Sequence, residues 1–191
     1  MENIYLTFDD GPLEPYTREL LDLLQSYDAH ATFFVCGKSA LRYPHLVKRM
    51  HDDGHTIGNH TYSHSFLKTV SGALGKEIEK TSAILEGITG ARPILFRPPW
   101  GILRPRTKAY AKAHGYHTVL WDSAGYDWHS PSPSYIGGRI IKKIRPGTIV
   151  LLHDGNEAKD RGVRKNTVAA TKLLLEYCKQ NGYTAERLPE R

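Results

Sequence analysis

Thr7-Phe8-Asp9-Asp10-Gly11-Pro12 follows the apolar run Ile4-Tyr5-Leu6. A β-branched and aromatic run that ends in Gly-Pro reads as a buried strand stopped by a turn. Side chains alternate along a strand, so Asp9 and Asp10 point to opposite sides unless the chain turns between them. One can then bind a metal while the other handles a proton. Asp-Asp-Gly-Pro is also an ordinary solvated turn, favoured for backbone reasons alone. Which reading holds depends on what the rest of the chain brings to the same strand end.

Outward from this strand, helix-like and strand-like segments alternate through short connections, which predicts parallel strands with crossover helices. Helices are expected over residues 17–27, 44–53, 71–88, 107–114, 135–144 and 167–180. Strands are expected at 31–36, 56–58, 94–96, 117–121 and 148–152, with a last one at 183–188. Ala31-Thr32-Phe33-Phe34-Val35-Cys36 is almost continuously apolar and reads as buried on both faces. The stripe Leu74, Ile78, Ser82 and Leu85 marks the longest helix. About seven β/α units in 191 residues fall short of the roughly 250 of a full eightfold barrel. The fold class expected is therefore α/β, a small distorted (β/α) barrel with about seven parallel strands, in one domain over residues 1–191.

Composition narrows the function classes. A chain with 40% apolar residues can bury a sizeable core, and no run approaches the roughly 20 apolar residues of a membrane helix. The chain is expected to be soluble and, as it stands, cytoplasmic; the alternative is an exported protein whose targeting segment is absent from it. Two cysteines, Cys36 and Cys178, imply buried thiols rather than a disulfide framework. The net charge of +6 would suit an anionic partner, but the basic residues are scattered and nucleic acid is not expected. The densest basic clusters, Lys142-Lys143 and residues 161–165, read as solvated surface.

In parallel α/β folds the site lies at the carboxyl ends of the strands. Polar residues just after each expected strand are Asp9, Asp10, Asn59, His60, His64, Arg97, Asp122, Asp127, His153 and Asp154. His60 and His64 stand four apart, a spacing that on a helical turn puts both imidazoles on one face. With 10 histidines in the chain, roughly 0.5 such pairs arise by chance, and His51 and His55 form a second. The second pair precedes a strand, whereas His60 and His64 follow it on the expected active face. With Asp10 they make a two-histidine, one-carboxylate set that suits catalytic zinc. Zinc brings the pKa of bound water from about 15.7 to about 7, which makes amide or ester hydrolysis feasible. Asp9 is then free to act as base, and His153 can supply the proton that the leaving group needs. Arg97, on a loop stiffened by Pro98 and Pro99, can pair with Asp9 and hold it ionised.

Thr7 to Pro12, His60-Thr61-Tyr62-Ser63-His64, Arg97-Pro98-Pro99-Trp100-Gly101, Asp127-Trp128 and Leu151-Leu152-His153 together resemble the five ordered motifs of the polysaccharide deacetylases. These are the family 4 carbohydrate esterases, with a NodB-like catalytic domain. The resemblance spans nearly the whole chain. It implies a distorted barrel and metal-dependent removal of acetyl groups from N-acetylglucosamine polymers such as chitin or peptidoglycan, or in some members from acetylated xylan. It also implies Asp9 as base, Asp10, His60 and His64 as ligands, Arg97 as partner of Asp9, and His153 as acid. Leu151 would line an acetyl pocket, Trp128 a groove wall, and the Trp100 backbone amide an oxyanion site; Asp127 joins the substrate-binding set. One position departs from the pattern. Where the family's fourth motif has an acidic residue three before the Asp of Asp-Trp, this chain has Ala124. Asp122 and Asp127 are both candidates to assist His153 instead. The rival functions are an O-acetyl esterase and a catalytically silent glycan-binding module, which would need neither Asp9 nor His153.

Overall fold

The computed structural model describes residues 2–157, 159 and 163–190. Its centre is β1 (Glu2–Asp9), in which Ile4, Leu6 and Phe8 face an apolar cluster under the helices while Tyr5, Thr7 and Asp9 face the opposite way. That alternation follows from the period of two along a strand. Burying Ile4, Leu6 or Phe8 contributes about 1.5–3 kcal/mol each. β2 (Thr32–Val35) repeats the pattern: Phe33 stacks on Phe8 outside, while Phe34 joins an inner cluster with Leu95 and Leu188.

Around β1 and β2 lie β3 (Thr56–Asn59), β4 (Leu95–Phe96), β5 (His117–Thr118), β6 (Ser123–Ala124), β7 (Ile149–His153) and β8 (Tyr183–Glu186). The sheet order is β5-β4-β3-β2-β1-β7-β6, and every recorded pairing is parallel. Tyr5 pairs with both Ile149 and Glu186, so β8 lies beside the start of β1 on the edge away from β7. The small distorted barrel expected from the sequence is an α/β half-barrel, open between β5 and β6.

The helices are α1 (Tyr16–Ser26), α2 (Gly37–Arg42), α3 (Pro44–Asp52), α4 (Phe66–Ser71), α5 (Gly75–Thr89), α6 (Pro105–Ala113), α7 (Pro133–Ile141) and α8 (Lys165–Asn181). Among the described residues, none is long and apolar enough to cross a membrane. Most ends fall within one or two residues of expectation, and the larger differences have local causes. The helix expected from 71 starts only at Gly75, because Gly72 takes a left-handed backbone (φ 73) and closes α4, a helix the sequence reading did not include. The helix expected from 135 starts at Pro133, which Ser132 caps by accepting from the Tyr135 amide. The strand expected over 117–121 stops at Thr118, because Arg97 takes the Val119 and Leu120 carbonyls. Both cysteines are buried free thiols. In the basic segment 161–165, Arg161 lies outside the described residues, and Arg164, expected on solvated surface, is buried.

Candidate active site

Asp9 ends β1 pointing into the half-barrel, and alternation alone would turn Asp10 away. Instead Asp10 adopts a left-handed backbone (φ 76), and both carboxylates reach one site, each almost fully buried. The turn is possible because two backbones touch there. A Cβ on Gly155 would sit 2.3 Å from the Asp10 carbonyl, and one on Gly11 would sit 2.1 Å from the Asp154 carboxylate. Asp154 thus packs behind the turn and accepts from the Thr17 hydroxyl at 2.7 Å. Burial, helped by Asp10 and Asp9, pushes its pKa up to about 7.

His60 and His64 meet by a different geometry from the one expected. The segment after β3 is not a helical turn; it curls through left-handed Thr61 (φ 68) and His64 (φ 49). Asn59 and α5 hold the curl. The Asn59 amide oxygen accepts from the Thr61 amide, and its nitrogen donates to the Ile78 carbonyl and Ser82 hydroxyl. Glu77 accepts from both the amide and the hydroxyl of Ser63 at 2.8 Å and pairs with Lys68. Ser82, the polar member of an otherwise apolar stripe, therefore supports the loop that carries the two imidazoles.

A carbonyl only accepts, so the 2.7 Å contact to the Arg97 carbonyl makes His60 Nδ1 the donor. Its Nε2 faces Asp10 Oδ1 at 3.4 Å, and His64 Nε2 faces the same oxygen at 3.3 Å. Among the described residues Asp10 Oδ1 is buried without a hydrogen-bond partner, and the three ligand atoms all lie within 4.8 Å of one another. An orphaned carboxylate oxygen converging with two imidazoles is a donor set that fits a metal ion. Burial opposes ionisation of Asp10, but His64, His60 and His153 hold its carboxyl well below the usual range. Burial also pushes His64 down to about 4, favouring the neutral imidazole that ligates metals. The control pair does not converge. His51 is exposed on α3, whereas His55 is buried against Phe33 and accepts from the Ala31 amide.

Arg97 is fully buried over the Phe34 ring, inside the half-barrel. It donates to Asp9 Oδ1 at 2.8 Å and to Thr7 on β1, and to the Val119 and Leu120 carbonyls just after β5. The expected Arg97–Asp9 pair is therefore present, with all three guanidinium nitrogens used.

His153, at the end of β7, donates from Nδ1 to Asp127 Oδ1 at 2.8 Å. Asp127 Oδ2 accepts from the His153 amide and the Thr167 hydroxyl, each at 2.8 Å. Asp127, placed by sequence with the substrate-binding residues, instead lies buried behind His153 and outside the cavity wall. Of the two candidates, Asp127 is the one whose carboxylate contacts the His153 imidazole. Asp122 does not, because its carboxylate binds the Ile149 amide at the other end of β7. Burial alone would lower the His153 pKa, but Asp127, helped by Asp10 and Asp9, outweighs it and raises it to about 9.

These groups open on a cavity of about 570 Å³. Asp9, Asp10, His60, His64 and His153 share it with Leu151 and with Trp100, Trp121 and Trp128, which are all the tryptophans of the chain. Trp100 rests on His64 with ring centroids 4.2 Å apart, and Trp128 meets His153 edge to face at 5.4 Å. Sequence reading missed Trp121, His129, Asn156, Glu157 and Arg164 in this wall. Asn156 and Glu157 lie three and four residues past the end of β7, so carrying the strand-end collection from Asp154 to residue 157 would have found them.

The polysaccharide deacetylase family model matches residues 2–119. A peptidoglycan-N-acetylglucosamine deacetylase of Bacillus cereus is 40% identical over 183 residues, covering 94% of this chain and 83% of that one. A chitooligosaccharide deacetylase of Azorhizobium caulinodans is 33% identical over 98% of this chain and 93% of its own. The solved peptidoglycan N-acetylglucosamine deacetylase Bc1960 superposes with a TM-score of 0.90 at 33% identity, covering 98% of this chain and 86% of that one. With its strand-end motifs gathered around one cavity, the chain belongs to the polysaccharide deacetylase family.

Proposed function

We propose that this protein is a metal-dependent N-deacetylase acting on N-acetylglucosamine-containing glycans of the peptidoglycan or chitin type. One observation carries the reading: a base and an acid flank a single ligand triad, each with its own charge partner. Asp9 is paired with Arg97, and His153 with Asp127. Asp10, His60 and His64 would hold the ion, and two imidazoles with one carboxylate suit Zn²⁺ best. When bound, the ion lowers the pKa of water and polarises the acetyl carbonyl.

Asp9, paired with Arg97, takes a proton from the attacking water as the water oxygen adds to the acetyl carbon. The carbon–nitrogen bond then breaks, His153 gives its proton to the departing nitrogen, and acetate and a free amine result. An amine leaves poorly unless protonated, so an imidazole kept charged to about pH 9 suits an amide. Leu151 offers an apolar floor for the acetyl methyl, Trp100 and Trp128 supply walls, and the Trp100 amide is the proposed oxyanion donor.

Acetate release from chitooligosaccharides, peptidoglycan fragments and acetylated xylan tests the reading. Release from the N-acetylated glycans supports it. Release from xylan alone would replace it with an O-acetyl esterase.

A further inference from the structure

We propose that Phe66, beside Trp100, is a stacking platform for a second pyranose ring, next to the sugar that reacts and on the His64 side of the cavity. This rests on the deacetylase reading only for the identity of the reacting sugar. Phe66 and Leu67 are 58% and 77% exposed and belong to none of the interior apolar clusters. Single exposed apolar residues need no explanation, but Phe66 is continuous with the site. The Phe66 ring meets Trp100 edge to face, with centroids 5.3 Å apart at 82°, and Trp100 in turn rests on His64. An apolar ledge thus runs outward from the ligand triad.

The ledge is fixed in place. Trp100 sits in a left-handed turn (φ 54) directly after Pro98 and Pro99. Phe66 opens α4 immediately after Ser65, whose hydroxyl caps the Lys68 amide and whose carbonyl accepts from Thr69. A rigid exposed aromatic loses little entropy on binding. The opposite wall repeats the arrangement: Trp128 lies against His153, and Tyr126 meets Trp128 edge to face at 4.9 Å. Pyranose rings present flat C–H faces and equatorial hydroxyl rims, so they stack on aromatic rings while their hydroxyls stay in water. Aromatic ledges on both sides of one cavity fit a chain that continues past the reacting sugar.

The test is binding of N-acetylated chitooligosaccharides of two to five sugars to metal-free protein, read by tryptophan fluorescence, since every tryptophan lines the cavity. Affinity of the parent should rise with chain length. Phe66→Ala should remove one increment of roughly two- to tenfold, leave the shortest ligand unaffected, and be rescued by Phe66→Tyr. Equal increments in Phe66→Ala and parent would overturn the platform. So would equal weakening at every length, which would mean that Phe66 acts only by propping Trp100, or no binding at any length. Acetate release by the zinc-loaded parent on the same ligands separates the two readings. A lost increment without acetate leaves the platform standing and removes the deacetylase; acetate with an unchanged increment does the reverse.

Discussion

Asp127 binds His153 twice, accepting from its Nδ1 and from its backbone amide, each at 2.8 Å. The imidazole is thereby fixed in one tautomer, with Nε2 left for the cavity. Below its pKa of about 9 it is charged and can donate a proton; as pH rises through that value the acid is lost and the rate falls. Asp127→Asn removes the stabilising charge, so the high-pH limb of turnover should move to lower pH. Ala124→Asp should leave the limb in place, because the helper's work is already done. A bound cation lowers the limb in parent and variants alike, so the difference between pH profiles is the readout. A limb that moves upward in Ala124→Asp would show that Asp127 is an incomplete helper.

The adjacent carboxylates should separate cleanly. Asp10→Asn removes a charged ligand and should weaken metal binding. Asp9→Asn should keep the metal while turnover falls by about a hundredfold to ten-thousandfold, the usual contribution of a general base. Metal analysis and turnover at saturating zinc check both. Near-normal turnover in Asp9→Asn would assign the proton to another group.

His60→Ala and His64→Ala should each lose tight zinc binding, whereas His51→Ala and His55→Ala should retain it. His55→Ala should instead lower thermal stability, since it empties a buried site against Phe33. Zinc content and melting temperature of the four purified variants decide this. Equal zinc loss from both pairs would dissolve the assignment.

Glu77 holds Ser63, the residue directly before His64, through two hydrogen bonds. Partners that orient metal ligands typically matter by about ten- to a hundredfold in affinity. Glu77→Ala should weaken zinc binding by about that factor in a competition titration against a chelator, and Glu77→Gln should restore part of it. Unchanged affinity in Glu77→Ala would mean that the Asn59 contacts alone hold the curl.

The strand end at Asp9-Asp10 was legible because apolar period and Gly-Pro punctuation are local signals, and the other strand-end residues followed from the barrel rule. The His60 and His64 pairing was found through a helical spacing that the chain does not use. Sequence periodicity carries no sign of the two left-handed residues, and Asn59, Glu77 and Ser82 that hold them come from separate elements. β6 escaped because two residues have no period, and with it went the position of Asp127 behind His153. Arg164 was read as surface because its burial depends on the β7 loop, where its Nε donates to the Gly155 carbonyl at 2.7 Å.

The Asp10, His60 and His64 site is proposed to hydrolyse an N-acetyl group. The most direct test is acetate release from an N-acetylglucosamine tetrasaccharide, measured with parent protein loaded with zinc, stripped by chelator, and reloaded. Acetate and an equal amount of new free amine should appear with zinc, both should be lost on stripping, and both should return on reloading. No acetate from folded, zinc-loaded protein, or release that persists after stripping, would contradict the proposal.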